Sequence, residues 1–209
     1  MADRRKQIME AAVRVIAQDG VRGLRVEKLA AEAGVSTALI YYHFQDRAGI
    51  LRSALDHVNS RAERYTDGAS DADNPRTQLE RMLLLEIQDA PTVRENSVAW
   101  GELRASAVFA EDLRDTLRTT TAAWGHDAET LIRQAQAAGL ANPAIDPADA
   151  GERLTALVEG LSERWLSGST SLERARELLS GAIDVELGES DSRQQREQVV
   201  RAAPSPSEP

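Results

Sequence analysis

The 209-residue sequence predicts an all-α protein of about nine helices, an N-terminal three-helix helix-turn-helix unit followed by a larger C-terminal helical domain. Three observations carry the prediction. Apolar residues recur at the spacing of a helix face through successive segments, from Ile8, Ala12, Val15 and Ile16 to Leu178, Leu179, Ala182 and Ile183. Helix punctuation separates those segments: glycines 20, 34, 139 and 168, and the cap-plus-proline pairs Asn74-Pro75 and Asp146-Pro147. Gly34-Val35-Ser36, set between two short apolar-edged stretches, has the layout of the turn in a helix-turn-helix.

Helix 1 is expected from about Asp3 to Gln18, ended by Gly20. Its first turn holds Arg4, Arg5 and Lys6 where the helix dipole favours acids, a violation expected of a functional surface. Helix 2 spans about Val26 to Ala33, with Leu29, Ala30 and Ala33 as its apolar edge, and Gly34 makes the turn. Ser36 is the N-cap of helix 3, about Thr37 to Phe44. Asp46 then caps helix 4, which carries Ile50, Leu51, Leu55 and Val58 toward Tyr65. Residues Asp67 to Asn74 read as a loop.

Helix 5 starts at Pro75, faces inward with Leu79, Met82, Leu83 and Ile87, and is broken by Pro91. Helix 6 carries Val98, Trp100, Leu103 and Val108 and ends near Phe109. Helix 7, about Glu111 to Ala138, places Leu113, Leu117, Trp124, Ala128, Leu131, Ile132 and Ala135 on one stripe, stopped by Gly139 and Asn142-Pro143. Helix 8 follows Asp146-Pro147 with Leu154, Leu157, Val158, Leu161 and Trp165. Thr170 and Glu173 have the spacing of a capping box for helix 9. The implied organisation is a helix-turn-helix domain at 1–46, a connecting helix at 47–66, a ligand-binding and dimerisation domain at 67–188, and a disordered tail rich in Ser, Pro, Arg and Gln at 189–209.

The apolar side of helix 3 is Leu39, Ile40 and Phe44, leaving Thr37, Ala38, Tyr41, Tyr42 and His43 on the other. Two adjacent tyrosines beside a histidine, with small residues at the helix start, suit close approach to phosphates and base edges in a DNA groove. Thr37 and Tyr41 are placed on base edges, and Tyr42, His43 and Arg47 on phosphate. Ser36 and Ala38 sit at the same approach. Arg4, Arg5 and Lys6 are expected on phosphate or in the adjacent minor groove.

Gly34-Val35-Ser36, then Ile40-Tyr41-Tyr42-His43-Phe44, Arg47 and Leu51, resembles the DNA-binding domain of the TetR family of bacterial transcriptional repressors. Ile8, Ala11, Ala12, Gly20, Val26 and Ala30 fall where that family places helix 1 and the start of helix 2. Arg25 stands where the family usually has Thr or Ser; it weakens the cap of helix 2 and is assigned to phosphate. Ala38 replaces a frequent Gly, and Arg47 replaces a frequent Lys with its charge kept. The C-terminal half, from Trp100 through Trp124 to Trp165, is similar to the betaine-regulator-like subgroup. The resemblance implies a homodimer through helices 8 and 9, a palindromic double-stranded DNA operator and release by a small-molecule effector.

The net charge of −9 by itself argues against a nucleic-acid binder, but its distribution reverses that. Residues 1–64 hold 11 Lys/Arg against 8 Asp/Glu, which leaves −12 on the remainder. The chain has no cysteine, which excludes disulfides, thiolate metal sites and a Cys nucleophile. Without a long apolar run or a signal-peptide pattern, the expected location is the cytoplasm, with no membrane partner.

All three tryptophans lie in the C-terminal domain on inward faces, with Glu86, Glu102, Glu159 and Glu163 near them in sequence. Aromatic faces combined with carboxylates suit an organic cation. The expected ligand residues are Leu83, Glu86, Trp100, Leu103, Phe109, Trp124, Glu159 and Trp165. Two other readings compete. A helical metal-dependent hydrolase would use His126-Asp127 with Asp146 or Asp149, but no phosphate loop, nucleophile elbow or His-Glu-x-x-His accompanies them. A helical adaptor without DNA binding gives no reason for the Tyr41-Tyr42-His43 surface. No cofactor, catalytic residue or metal site is assigned.

Overall fold

A computed structural model describes residues 2–188, which fold as helices joined by short turns. The tail expected at 189–209 lies outside the described residues.

In α1 (Ala2–Gly23), Ile8, Ala11, Ala12, Val15 and Ile16 are buried along one stripe. The expected stop at Gly20 is a kink: Gly20 takes φ 71 and ψ 173, and a further turn continues to Gly23. The next two helices, α2 (Val26–Ala33) and α3 (Thr37–Phe44), have the expected bounds. The capped helix α4 (Arg47–Thr66) leads into a 3₁₀ turn, Asp67–Asp71, within the predicted loop.

Asn74 caps α5 (Pro75–Leu85) by accepting from Thr77 N at 3.0 Å, and Asp146 caps α8 (Pro147–Leu166) by accepting from Ala148 N and Asp149 N. Pro91 marks the start of α6 (Pro91–Ala107) as well as the break after α5, because proline fits the first turn, where no amide partner is needed. The long helix α7 (Glu111–Ala137) precedes α8, and α9 (Leu172–Leu187) closes the described chain. The expected capping box does not form. The Thr170 amide donates to Arg164 O, wrapping the end of α8, and the cap of α9 falls one residue later, with Ser171 Oγ accepting from Arg174 N. Among the described residues no helix is long and apolar enough to cross a membrane.

Two buried apolar clusters result. One joins α1–α4 to Ala99, Leu103 and Ala107 of α6 and Leu113 of α7. The other joins α5, α7, α8 and α9 around Leu83, Ile132, Leu154, Leu161 and Leu179. Helix α6 therefore packs on the N-terminal helices as part of their core. At the α7–α8 crossing, a Cβ on Gly151 would lie 3.0 Å from Gly125 O, so the two backbones approach at a glycine. Arg76, 4% exposed, ties α5 to α9 through Asp184 at 3.0 Å and to Leu140 O at 3.1 Å. A buried charge is tolerable only when its donors are met in this way.

Leu103 is 1% exposed in the cluster shared by α1 and α6. Leu103→Ala is expected to lower stability by about 2–5 kcal/mol, read from urea unfolding.

Candidate nucleic-acid interface and ligand cavity

The end of α2 and the start of α3 follow local chemistry. Gly34 takes the left-handed conformation (φ 62, ψ 38), and its amide returns to the last turn of α2. Ser36 Oγ accepts from Leu39 N at 3.2 Å, which starts α3. Ile40 and Phe44 are buried, while Thr37, Ala38, Tyr41 and Tyr42 are exposed, Tyr42 at 71%. His43 is half-buried and meets the Tyr42 ring edge-on, with centroids 5.2 Å apart. The structure thus brings the expected reading residues onto one open helix face.

The basic residues around that face differ in their engagement. Arg5 reaches from α1 over the Phe44 ring at 5.6 Å and donates to Ser53 Oγ of α4 at 3.2 Å, so it borders α3 directly. Arg4 pairs with Gln7 and Lys6 with Glu10 along α1. Arg25 sits exposed at the N-cap of α2 without a side-chain cap bond, as its chemistry predicts. Arg47 has a structural role that its sequence position did not reveal. It donates to Val21 O at 2.6 Å and Leu24 O at 3.4 Å, clamping the α1–α2 link to the start of α4.

At the junction between α3 and α4 the expected Asp46 cap of α4 forms, but the turn just before it has no counterpart in the sequence reading. Gln45 is the one non-glycine residue among those described with positive φ (φ 64, ψ −56). Asp46 N donates to Phe44 O at 2.7 Å across it, forming a tight γ-turn. Asp46 also accepts from Gly49 N at 2.6 Å, and a Cβ at Gly49 would lie 2.1 Å from Phe44 O. The sequence signal was Asp46 followed three residues later by a glycine that the turn requires.

A cavity of about 200 Å³ lies between α4, α5, α6, α7 and α8. Glu86, Trp100, Trp124 and Glu159 line it, as expected. The other four expected ligand residues do not, and helical phase is the reason. On α5 the cavity takes Met82 and Glu86, so Leu83 points into the core at 0% exposure. On α6 it takes Asn96, Ser97, Trp100, Gly101 and Arg104, which turns Leu103 toward α1. On α8 it takes Val158, Glu159, Ser162 and Glu163, leaving Trp165 in the second core with Arg94 stacked on it at 5.0 Å. Phe109 lies beyond the end of α6 and is 87% exposed.

Three lining residues that the sequence did not single out complete the cavity: Tyr65, Asn96 and Arg104. Tyr65 OH donates to Glu86 Oε2 at 2.6 Å, and Asn96 Nδ2 donates to Tyr65 OH at 3.3 Å and Val58 O at 3.1 Å. Asn96 Oδ1 is buried without a partner. Arg104 lies over the Trp100 ring at 5.2 Å, donates to Thr121 Oγ1 at 3.2 Å and pairs with Glu159. The only available signal was periodic: Asn96, Trp100 and Arg104 are spaced at four-residue steps.

Five carboxyl groups, those of Glu63, Glu86, Asp127, Glu159 and Glu163, line the cavity against one guanidinium. Burial raises the Glu86 pKa to about 7, opposed by the Tyr65 hydrogen bond. Burial also raises the Glu159 pKa, with Arg104 opposing and Glu163 adding to the rise. Burial and the neighbouring Glu86 carboxylate hold the Tyr65 phenol in its neutral form. A space lined by aromatic rings and five carboxyl groups favours a cation. Among the described residues no three His, Cys, Asp or Glu side chains are grouped to hold a metal ion.

Comparison with known proteins follows the same division. Residues 8–54 match the family described as bacterial regulatory proteins, tetR family, and residues 75–188 match the BetI-type transcriptional repressor C-terminal family. The HTH-type transcriptional regulator BetI of Brucella canis is 27% identical over 116 residues, and the chain spans 59% of that relative's length. A crystal structure of a TetR-family transcriptional regulator from Rhodococcus sp. superposes with a TM-score of 0.85 at 52% identity, covering 90% of this chain and 100% of that one. A transcriptional regulator from Saccharomonospora viridis, crystallised in complex with choline, superposes with a TM-score of 0.79 at 26% identity, covering 90% of this chain and 98% of the other.

Glu86 supplies a test of the cavity's electrostatics. Folding raises its pKa from 4.5 to about 7, so between those pH values the native state holds a proton that the unfolded chain has lost. Its contribution to stability is full below the unfolded value and declines as pH rises through the folded one, by up to about 3 kcal/mol. Glu86→Gln should flatten that decline, measured as urea midpoints at pH 5 and pH 8.

Proposed function

We propose that this chain, which belongs to the TetR family of bacterial transcriptional regulators and carries a BetI-type C-terminal half, binds a palindromic operator as a dimer and is released by an organic cation. The family is one of regulators and not of enzymes, and it is defined here by matches over both halves of the chain. The hydrolase and adaptor readings lose their ground.

The observation that carries the effector reading is the cavity: five carboxyl groups and the rings of Tyr65, Trp100 and Trp124 around one guanidinium. The bound choline of the Saccharomonospora viridis regulator supports the same class. A quaternary ammonium offers an aromatic wall a diffuse charge and needs no hydrogen-bond acceptor directed at it. Acting in the cytoplasm, the apo protein would hold DNA through Thr37, Tyr41, Tyr42 and His43, with Ser36 and Ala38 at the approach. Arg4, Arg5, Lys6, Arg25 and Arg47 would supply the surrounding positive charge. An effector that prefers a different head placement lowers DNA affinity, and DNA lowers effector affinity by the same factor.

A two-turn reading helix buries too little surface to be specific alone, which calls for a second head. The partner surface we assign is α8 with α9. Leu178 and Val185, two turns apart on α9, are 38% and 89% exposed, and Gly160 of α8 and Gly181 of α9 face open space. Val185→Glu should shift the sedimentation coefficient toward a monomer and weaken operator binding together; an unchanged dimer would move the interface elsewhere.

The function itself is tested by a mobility shift on the DNA upstream of the chain's own gene. Wild-type protein should bind specifically, lose affinity as salt rises, and be released by choline. Tyr42→Ala with His43→Ala should cost tenfold or more in affinity. Specific binding that survives the double substitution would overturn the assigned reading surface, and insensitivity to choline and other quaternary ammonium ions would overturn the effector class.

A further inference from the structure

We propose that Arg104 is the resident cation of the cavity, and that an organic cation binds by taking its place against Trp100 and Glu159. The inference rests on the organic-cation reading above and goes further by saying what the ligand must displace.

The features that would recognise a diffuse cation are already occupied by the protein's own side chain. The Arg104 guanidinium carbon lies 5.2 Å from the Trp100 ring centroid, and the same group donates to Glu159 on α8 and to Thr121 Oγ1 on α7 at 3.2 Å. The fit is incomplete, because Arg104 Nε is buried without a hydrogen-bond partner. A second cation entering beside it would meet a like charge. Arg104 also has a way out. It lines both the cavity and a wider, more open groove bordered by Arg114, Thr121 and Glu129. A rotation of the long side chain into that groove hydrates the guanidinium and leaves the Trp100 face and the Glu159 carboxylate to the ligand.

The exchange has a structural consequence. Arg104 forms an ion pair with Glu159 that links α6 to α8, and it lies two residues from Glu102, whose Oε2 accepts from Val21 N at 3.0 Å across the interface with α1. Displacing Arg104 unties α6 from the cavity wall at the point where α6 holds the DNA-binding helices.

Calorimetric titration of choline and of tetramethylammonium into the full chain tests the proposal with wild type, Arg104→Met and Arg104→Lys. Exchange predicts that Arg104→Met binds both ions at least tenfold tighter. It predicts that Arg104→Lys, which keeps the charge but loses the planar stack and forked donors, binds them several-fold tighter. In the wild type, the Arg104 Nε–H resonance, assigned by through-bond correlation to the Arg104 backbone of the wild-type protein, should lose its protection from solvent exchange as choline saturates the site. Unchanged or weaker binding by Arg104→Met overturns the exchange. So does tightening in Arg104→Met while Arg104→Lys matches the wild type, since that reports charge alone. A wild-type Arg104 resonance that stays protected at saturation also overturns it, and this readout decides should a variant fail to fold. If neither wild type nor Arg104→Met takes up either ion, the organic-cation reading falls and this inference with it. If wild type binds and Arg104→Met binds no tighter, this inference alone falls.

Discussion

Helix α6 sets Leu103 into the packing of α1 and, one residue later, sets Arg104 into the cavity. Both the DNA-binding helices and the ligand space depend on that change of face. Its buried face is shared with α1 and another face with the cavity, so a shift of α6 would alter both, since packed interiors do not deform softly. Glu102 adds a directional tie to the apolar one, accepting the Val21 amide, and Arg47 at the start of α4 holds the Val21 carbonyl. One backbone residue is thereby gripped from α6 and from α4. A hydrogen bond to a charged group contributes about 1.5–3 kcal/mol. Coupling between allosteric sites is typically about 1–3 kcal/mol, so a contact of this size is sufficient to carry it.

The cavity is held in an unfavourable electrostatic state. Among the described residues Glu86 meets no cationic partner and accepts a hydrogen bond from Tyr65, and Glu159 has a raised pKa despite its pairing with Arg104. Removing these carboxyls from water costs more than the local hydrogen bonds return. A cationic ligand would repay part of that cost, which favours affinity from a small molecule with few polar contacts.

The reading head was legible because its signals are local. Gly34 has to adopt positive φ, Ser36 has an amide to accept, and Ile40 and Phe44 share a face at one-turn spacing; none of these depends on a distant partner. Asn74-Pro75 and Asp146-Pro147 located two later helix starts for the same reason. The cavity was half legible. Spacing shows that Leu83, Leu103 and Trp165 are buried but not what they are buried against, and a helix in a layered domain buries two faces. The three residues point into cores, while polar neighbours on adjacent faces line the cavity. Phe109 failed differently: its hydrophobicity suggested burial, yet it follows the last turn of α6 and lies in solvent. Tyr65, Asn96 and Arg104 carry no pattern that distinguishes them from solvated residues until α4, α6 and α8 are brought together.

The γ-turn at Gln45 links aim to tolerance of change. A non-glycine residue in such a conformation costs on the order of 1–3 kcal/mol, and that cost sits between the proposed reading helix α3 and the helix α4 that follows it. Glycine would relax the link, but it would also let α3 sample directions relative to α4 that glutamine forbids. Drift at position 45 therefore trades thermal margin against angular precision, and lineages of this regulator living at different temperatures are expected to resolve that trade differently at this one residue.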